Sequence, residues 1–215
     1  MNTFVPPDAL LFVTSDCPHC ATVKRGLDEL VRQGLIGKVT VVDASAHPER
    51  AAEYGVRTAP WLRLGPFTLT GAQSVPELRQ WVEWASGEEG IARYVAHLLK
   101  LGEFQHAAAF VSADAQRLKP LLDILADTDA GIDQRLGVSA LLERYADTPE
   151  LRALLPQLAE LSRHADHRVR ADACHLLGLT GSAEALAHVE ACLSDESEEV
   201  REIAAEAMQR LGGTA

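Results

Sequence analysis

The sequence predicts an α/β domain with a small mixed sheet, followed by an all-α solenoid of stacked helix pairs. The first 85 or so residues alternate strand-like and helix-like patterns, whereas no segment after about residue 87 resembles a strand. Helical segments near the C-terminus also repeat at a spacing of about 31 residues. Of the 215 residues, 47% are hydrophobic, which is enough to bury a core in each part. We therefore expect two domains, residues 1–86 and 87–215.

The strands of the first domain are indicated by short apolar runs. Residues 10–14 form a buried run, and the β-branched residues 39–42 predict a central strand. Two alternating runs, 61–64 and 67–70, are joined by a Gly-Pro dipeptide, which is typical of a hairpin.

The helices of the first domain are bounded by capping and breaking residues. A helical pattern at 21–33 ends at a glycine, and a short helix at 48–54 ends at Gly55. Ser74 is placed to cap a last helix that runs to about Ala85, with a proline in its first turn. The expected element order is β-α-β-α-β-β-α.

The second half consists of helical segments separated by short breaks. A Val-Arg dipeptide recurs in similar context at 169–170 and 200–201, and a weaker copy begins at residue 133. Helix pairs at such a period stack into a solenoid, each pair burying a face against the next. The expected helices are 88–101, 103–112, 114–127, 131–146, 149–162, 166–179, 182–193 and 196–211.

The net charge of −11 lies almost entirely in the second half. Residues 1–86 carry 8 Lys and Arg against 9 Asp and Glu, while residues 87–215 carry 12 against 22. This acidity argues against nucleic acid and anionic membranes as partners. No apolar run approaches the roughly 20 residues that span a bilayer, and the N-terminus lacks the pattern of a signal peptide. We therefore expect a cytoplasmic protein with no membrane contact.

The Cys17-Pro18-His19-Cys20 motif carries the expected chemistry. It follows the first strand and precedes the first helix, so it places a dithiol on a strand-to-helix turn. Free N–H groups at the start of a helix favour a thiolate over a thiol. We predict that Cys17 is the nucleophile and that Cys20 resolves the mixed disulfide, so that the two form a redox-active disulfide.

The two central residues of the motif are expected to tune that chemistry. Pro18 suits the first helical turn, where its missing N–H costs nothing. His19 is a candidate catalytic residue, since a proton donor or positive charge beside Cys17 stabilises the thiolate. The pKa of Cys17 is therefore expected below the value of about 8.5 of an ordinary cysteine.

Residues 8–86 resemble the thioredoxin superfamily in its short, glutaredoxin-sized form. The resemblance rests on the dithiol after the first strand, on the segment 54–60 (Tyr-Gly-Val-Arg-Thr-Ala-Pro), and on the hairpin that follows it. The Pro-His dipeptide matches DsbA-type disulfide oxidases. The resemblance implies a cis peptide at Pro60, a substrate strand paired with the backbone of Ala59, and a groove lined by Trp61. No cofactor is expected.

The second half is similar to HEAT or HEAT-like repeats, with the best match over residues 164–211. HEAT repeats are usually protein-binding scaffolds, so the resemblance implies a protein partner on the helices.

Two other interpretations of the cysteines are open. The dithiol could be a structural disulfide or half of a zinc site, although a tetrahedral zinc needs two further ligands and no second CxxC exists. A cluster of His164, His167, Cys174 and His175 suggests metal binding, but such side chains in a helical array are more often packing or surface residues. We predict no metal site.

The leading functional hypothesis is a thiol-disulfide oxidoreductase that acts on a protein substrate with a cysteine pair. The helical repeats would hold that client or another partner. One alternative is a non-catalytic interaction scaffold whose dithiol works as a redox switch. A weaker alternative is a glutathione-dependent, glutaredoxin-like protein.

Overall fold

A computed structural model describes residues 5–85, 87 and 89–212. The chain divides into two compact units, residues 1–93 and 94–215. The division falls a few residues after the boundary expected at residue 86. Among the described residues, no helix has the length and apolarity needed to cross a membrane.

The first unit contains a four-stranded mixed sheet with the element order that the sequence predicts. The sheet order is β2-β1-β3-β4; β1 pairs in parallel with β2 and antiparallel with β3, and β3 pairs antiparallel with β4. The elements are β1 (Ala9–Val13), α1 (Cys20–Arg32), β2 (Val39–Asp43), α2 (Pro48–Glu53), β3 (Trp61–Leu64), β4 (Phe67–Thr70) and α3 (Val75–Trp84).

β1 is an interior strand of this sheet, and β2 lies at an edge. Leu11 and Phe12 of β1 are both fully buried, which explains why the strand is apolar at consecutive positions. The expectation that β2 is central is wrong, because β-branched residues also suit a partly exposed edge. Val41 of β2 is 40% exposed.

Of two helix starts predicted in the first unit, one has the expected position and the other differs. Ser74 caps α3 as predicted: its hydroxyl accepts from the Glu77 N–H, and the Glu77 carboxylate accepts from the Ser74 N–H at 2.7 Å. These hydrogen bonds lower the pKa of Glu77. In contrast, α1 begins at Cys20, so Pro18 precedes the helix and does not lie in its first turn as expected.

The second unit is helical throughout its described residues. Its helices are α4 (Glu89–Lys100, which begins in the first unit), α5 (Phe104–Ser112), α6 (Leu121–Ala126), α7 (Ile132–Glu143), α8 (Pro149–Arg152), α9 (Leu155–Leu161), α10 (His167–Leu179), α11 (Leu186–Cys192) and α12 (Glu198–Gly212), with short 3₁₀ turns at Ala115–Arg117 and Ala183–Ala185.

Three predicted helices are each divided into two shorter pieces. The segment 114–127 becomes a 3₁₀ turn followed by α6, with Pro120 immediately before the helix. The segment 149–162 becomes α8 and α9, and each of these begins with a proline in its first turn. A proline lacks the N–H that continues a helix, so it favours a new start. The segment 182–193 also begins as a 3₁₀ turn before α11.

Close packing between α10 and α12 forms the core of the last repeat. A Cβ atom placed on Gly178 would lie 2.7 Å from the Cβ of Ala207, which is closer than real Cβ contacts allow. The absence of a side chain at Gly178 therefore sets the separation of these two helices.

Arg135, Arg170 and Arg201, one in each repeated motif, all donate to main-chain carbonyl oxygens that precede their own helices. Arg170 and Arg201 each donate to two carbonyls of the turn before the helix, at distances between 2.7 and 3.1 Å. Arg135 donates to one carbonyl, that of Leu125 near the end of α6, at 3.0 Å. The recurring Val-Arg pattern therefore has a structural cause, because the arginine satisfies carbonyls that the preceding turn leaves without partners.

Arg170 also forms a buried ion pair with Asp195. Its Nε and Nη2 atoms each lie 2.8 Å from a carboxylate oxygen, and the two side chains are only 9% and 11% exposed. The hydrogen bonds from Arg170 are the largest cause of the lowered pKa of Asp195. This bidentate pair joins α10 to the turn that follows α11.

Arg170→Ala should lower the free energy of unfolding by about 3–5 kcal/mol, because it leaves Asp195 buried without its partner. Urea denaturation followed by circular dichroism measures this change. Arg168→Ala is the matched control: Arg168 lies two residues away and pairs with Asp166, but its side chain is 49% exposed, so the loss should be much smaller than in Arg170→Ala. Equal losses in the two variants would contradict a structural role for the buried pair.

Candidate functional site

Cys17 and Cys20 are joined by a disulfide at the start of α1. Their Cα atoms lie 5.5 Å apart. Cys20 is the first residue of the helix and is 5% exposed, whereas Cys17 lies on the turn before it and is partly exposed. An incoming sulfur can therefore reach Cys17 more readily than Cys20.

A backbone amide at the helix start points at the exposed sulfur. The Cys20 N–H donates to Cys17 Sγ at 3.1 Å. His19 is the N-cap residue, but its side chain makes no capping hydrogen bond and is exposed. The first helical amide thus donates to sulfur in place of a capping side chain, and that contact strengthens when the sulfur is an anion.

The cis peptide bond between Ala59 and Pro60 lies at the same end of the sheet as the disulfide. Trp61 pairs with Phe12 in the antiparallel β1–β3 register, so the residues before Trp61 lie beside the residues that follow β1 and lead to Cys17. The Pro60 carbonyl accepts from the Gly71 N–H at 3.0 Å. Within the described part of the chain, the main-chain groups of Ala59 have no hydrogen-bond partner.

Trp61 lies mostly inside the first unit. Its ring is 6% exposed and makes edge contacts with Phe12 and Tyr54, at centroid distances of 5.5 and 6.0 Å. The predicted contact of Trp61 with a substrate is therefore confined to a small part of its surface.

The other two cysteines form a buried pair of thiols. Both are free, and Cys192 Sγ donates to the His188 carbonyl at 3.3 Å. A hydrogen bond with Cys192, together with burial, raises the pKa of Cys174. A buried thiol with a raised pKa is a poor nucleophile.

The histidines that suggested a metal cluster have other partners. His164 Nδ1 accepts from the Asp166 N–H at 3.1 Å, His175 Nε2 lies 3.1 Å from a Glu143 oxygen, and His167 lies near two surface carboxylates. Nowhere in the described ranges do three or more His, Cys, Asp or Glu side chains form a group suited to a metal ion.

A group of cationic residues that the sequence does not predict lies at the opposite end of β1. Lys38, Arg50 and Arg63 surround a small cavity together with Asp8 and Tyr54. They are distant from each other in sequence, and the only signal was Arg63, a charged residue in an otherwise apolar strand.

Reduced wild-type protein should react with iodoacetamide at Cys17 alone while it remains folded. Cys20, Cys174 and Cys192 are buried, and a buried thiol is protected. Mass spectrometry should therefore find one adduct on the native reduced chain and four after unfolding in urea. The native Cys17→Ser variant should gain no adduct, and rapid labelling of Cys174 or Cys192 would contradict this assignment.

Part of the second unit is similar to a known family. Residues 118–209 match the family model for HEAT repeats, which includes residues 164–209 of the expected best match at 164–211 and extends to residue 118. No curated protein matches the chain. The helical region 118–209 therefore contains HEAT repeats.

Proposed function

We propose that the first unit is a thioredoxin-like domain that exchanges disulfides with protein cysteines through Cys17 and Cys20. The main support is the hydrogen bond from the Cys20 N–H to Cys17 Sγ, which stabilises a thiolate at an accessible position. The sheet order, the disulfide after an interior strand and the cis bond before Pro60 also suit this family.

The exchange has two sulfur-transfer steps. In the reducing direction, the Cys17 thiolate attacks one sulfur of a client disulfide, and the other client sulfur leaves as a thiolate. Cys20, after losing its proton, then attacks Cys17 Sγ, so the Cys17–Cys20 disulfide forms and the second client thiolate leaves. The client gains two electrons and the dithiol loses two. The reverse sequence oxidises a client dithiol and consumes the disulfide present in this structure.

An exposed main-chain segment next to the cis bond offers a place for the client. Ala59 is half-buried, and its main-chain groups find no partner among the described residues. An extended client segment pairs with such groups as an added strand. This arrangement would hold a client cysteine at the end of the sheet where β1 leads to Cys17.

The HEAT repeats would supply a second point of attachment for a protein partner. Binding of one protein by both units makes the exchange effectively intramolecular and raises the local concentration of the target cysteines. The fused helical unit would therefore select the client, while the first unit carries out the chemistry.

Wild-type protein should accelerate the reduction of insulin by dithiothreitol, and Cys17→Ser should return the rate to the uncatalysed value. Without Cys17 no mixed disulfide with the client can form. Turbidity from the precipitating insulin chain measures the rate. Cys192→Ser, which removes a buried thiol of the second unit, is the control and should retain activity. Activity that survives in Cys17→Ser would contradict the mechanism.

The pKa of reduced Cys17 should lie below the value of about 8.5 of an ordinary cysteine. Ultraviolet absorbance of the thiolate, measured against pH on wild type and Cys17→Ser, isolates this titration. His19→Ala should move the midpoint to higher pH, because we propose that the His19 imidazole stabilises the neighbouring thiolate as a proton donor or positive charge. A wild-type midpoint at or above the ordinary value would overturn the assignment of Cys17 as an activated nucleophile.

The HEAT match favours a second candidate, an interaction protein whose dithiol switches partner binding without turnover. Cys17 and Cys20 would then be oxidised or reduced only when the redox potential of the surroundings changes. Affinity capture by oxidised and reduced protein, run beside the insulin assay, separates the two. Redox-dependent capture with no turnover favours the switch, whereas turnover that requires Cys17 favours the enzyme.

A further inference from the structure

We propose that the first unit binds a phosphate dianion in a cavity at the end of β1 opposite the disulfide. The cavity has a volume of about 220 Å³. Its polar lining comes from the two strands β2 and β3, from α2, and from residues next to these elements: Asp8, Lys38, Thr40, Arg50, Tyr54 and Arg63. This site is separate from the dithiol and does not depend on the function proposed for it.

The register of the sheet places part of this lining in one row. Leu10 of β1 pairs with Thr40 of β2 on one side and with Arg63 of β3 on the other. Side chains of directly paired residues point to the same face of a sheet, so Thr40 and Arg63 flank the floor of the cavity at Leu10.

The helix α2 and the residue that ends it supply the rest of the wall. Arg50 lies within α2, and Tyr54 is its C-cap residue, four positions later on the same side. The Arg63 guanidinium lies over the Tyr54 ring, 5.0 Å from its centroid. This stacking orders the arginine before a ligand arrives and lowers the entropy cost of binding.

The cavity carries an excess of positive charge. Among the described residues, no carboxylate oxygen lies within 4.0 Å of the charged nitrogen atoms of Lys38, Arg50 or Arg63, so none of the three forms an ion pair there. Asp8 is the one acid in the lining, and its Oδ1 accepts from the backbone N–H of Lys38 at 2.7 Å. Three cations against one carboxylate leave two excess positive charges in the cavity, although residues 1–86 as a whole carry 8 Lys and Arg against 9 Asp and Glu.

The chemistry of these groups matches a phosphoryl group. The planar guanidinium of arginine binds two oxygens of a phosphate at once, and lysine adds a point charge. A dianion would balance the two excess charges. With a volume of about 220 Å³, the cavity has room for a group larger than a single water molecule.

Titration of the full chain with inorganic phosphate, followed by ¹H–¹⁵N NMR at constant ionic strength, tests this site. Saturable shifts are expected at the amides of Thr40 and Arg63. Glycerol 3-phosphate serves as a second probe, and tighter binding than inorganic phosphate would identify a phosphomonoester as the preferred source. If glycerol 3-phosphate binds equally or more weakly, inorganic phosphate is the preferred ligand. Malonate tests for a dicarboxylate, and saturation by malonate alone would overturn the proposal.

Arg63→Gln and Arg50→Gln should each weaken phosphate binding by about tenfold or more, since each removes charge-assisted hydrogen bonds. Arg32→Gln is the control, because Arg32 is an exposed arginine of α1 outside the cavity lining. Lys38→Gln should also weaken binding, and it leaves the Arg63–Tyr54 stacking in place if Arg63→Gln fails to fold. Absence of saturable shifts, or equal losses in Arg32→Gln and the cavity variants, would refute the site.

Discussion

The first unit depends on the burial of β1 between two neighbouring strands. Leu11 and Phe12 are completely buried, and β1 pairs along its length with β2 on one side and β3 on the other. This pairing fixes where the chain leaves the sheet, and therefore where α1 begins and where Cys17 lies. The same pairing places Thr40 and Arg63 beside Leu10 at the other end. Both candidate sites therefore lie directly next to the ends of buried or paired strands, which fixes the position of the turns and strand residues that form them.

The dithiol is asymmetric in the way that sequential exchange requires. Cys20 is buried and Cys17 is partly exposed, so in the proposed exchange a client sulfur would meet Cys17 first and Cys20 would complete the reaction. The thiols of Cys174 and Cys192 are instead both buried, and the hydrogen bond with Cys192, together with burial, raises the pKa of Cys174 and keeps that sulfur protonated. The exposure of each cysteine and its hydrogen bonds therefore distinguish the proposed reactive sulfur, Cys17, from the buried thiols.

Features encoded by local sequence could be predicted. The element order of the first unit, the Ser74 cap and the repeating helices all follow from periodicity and from single capping or breaking residues. The edge position of β2 could not be predicted in this way, because strand order depends on pairing between distant segments, which local sequence patterns do not encode. The cationic cavity was missed for the same reason: Lys38, Arg50 and Arg63 meet only after the sheet forms.

The buried contact between Arg170 and Asp195 bears on how the helical unit can be dissected. The two residues are 25 positions apart, and the arginine also satisfies carbonyls before its own helix. A fragment that ends between them would keep the guanidinium and discard its counter-charge. Repeats linked in this way do not behave as interchangeable blocks. Shortened chains made to map a partner should therefore end outside the interval that these two residues enclose.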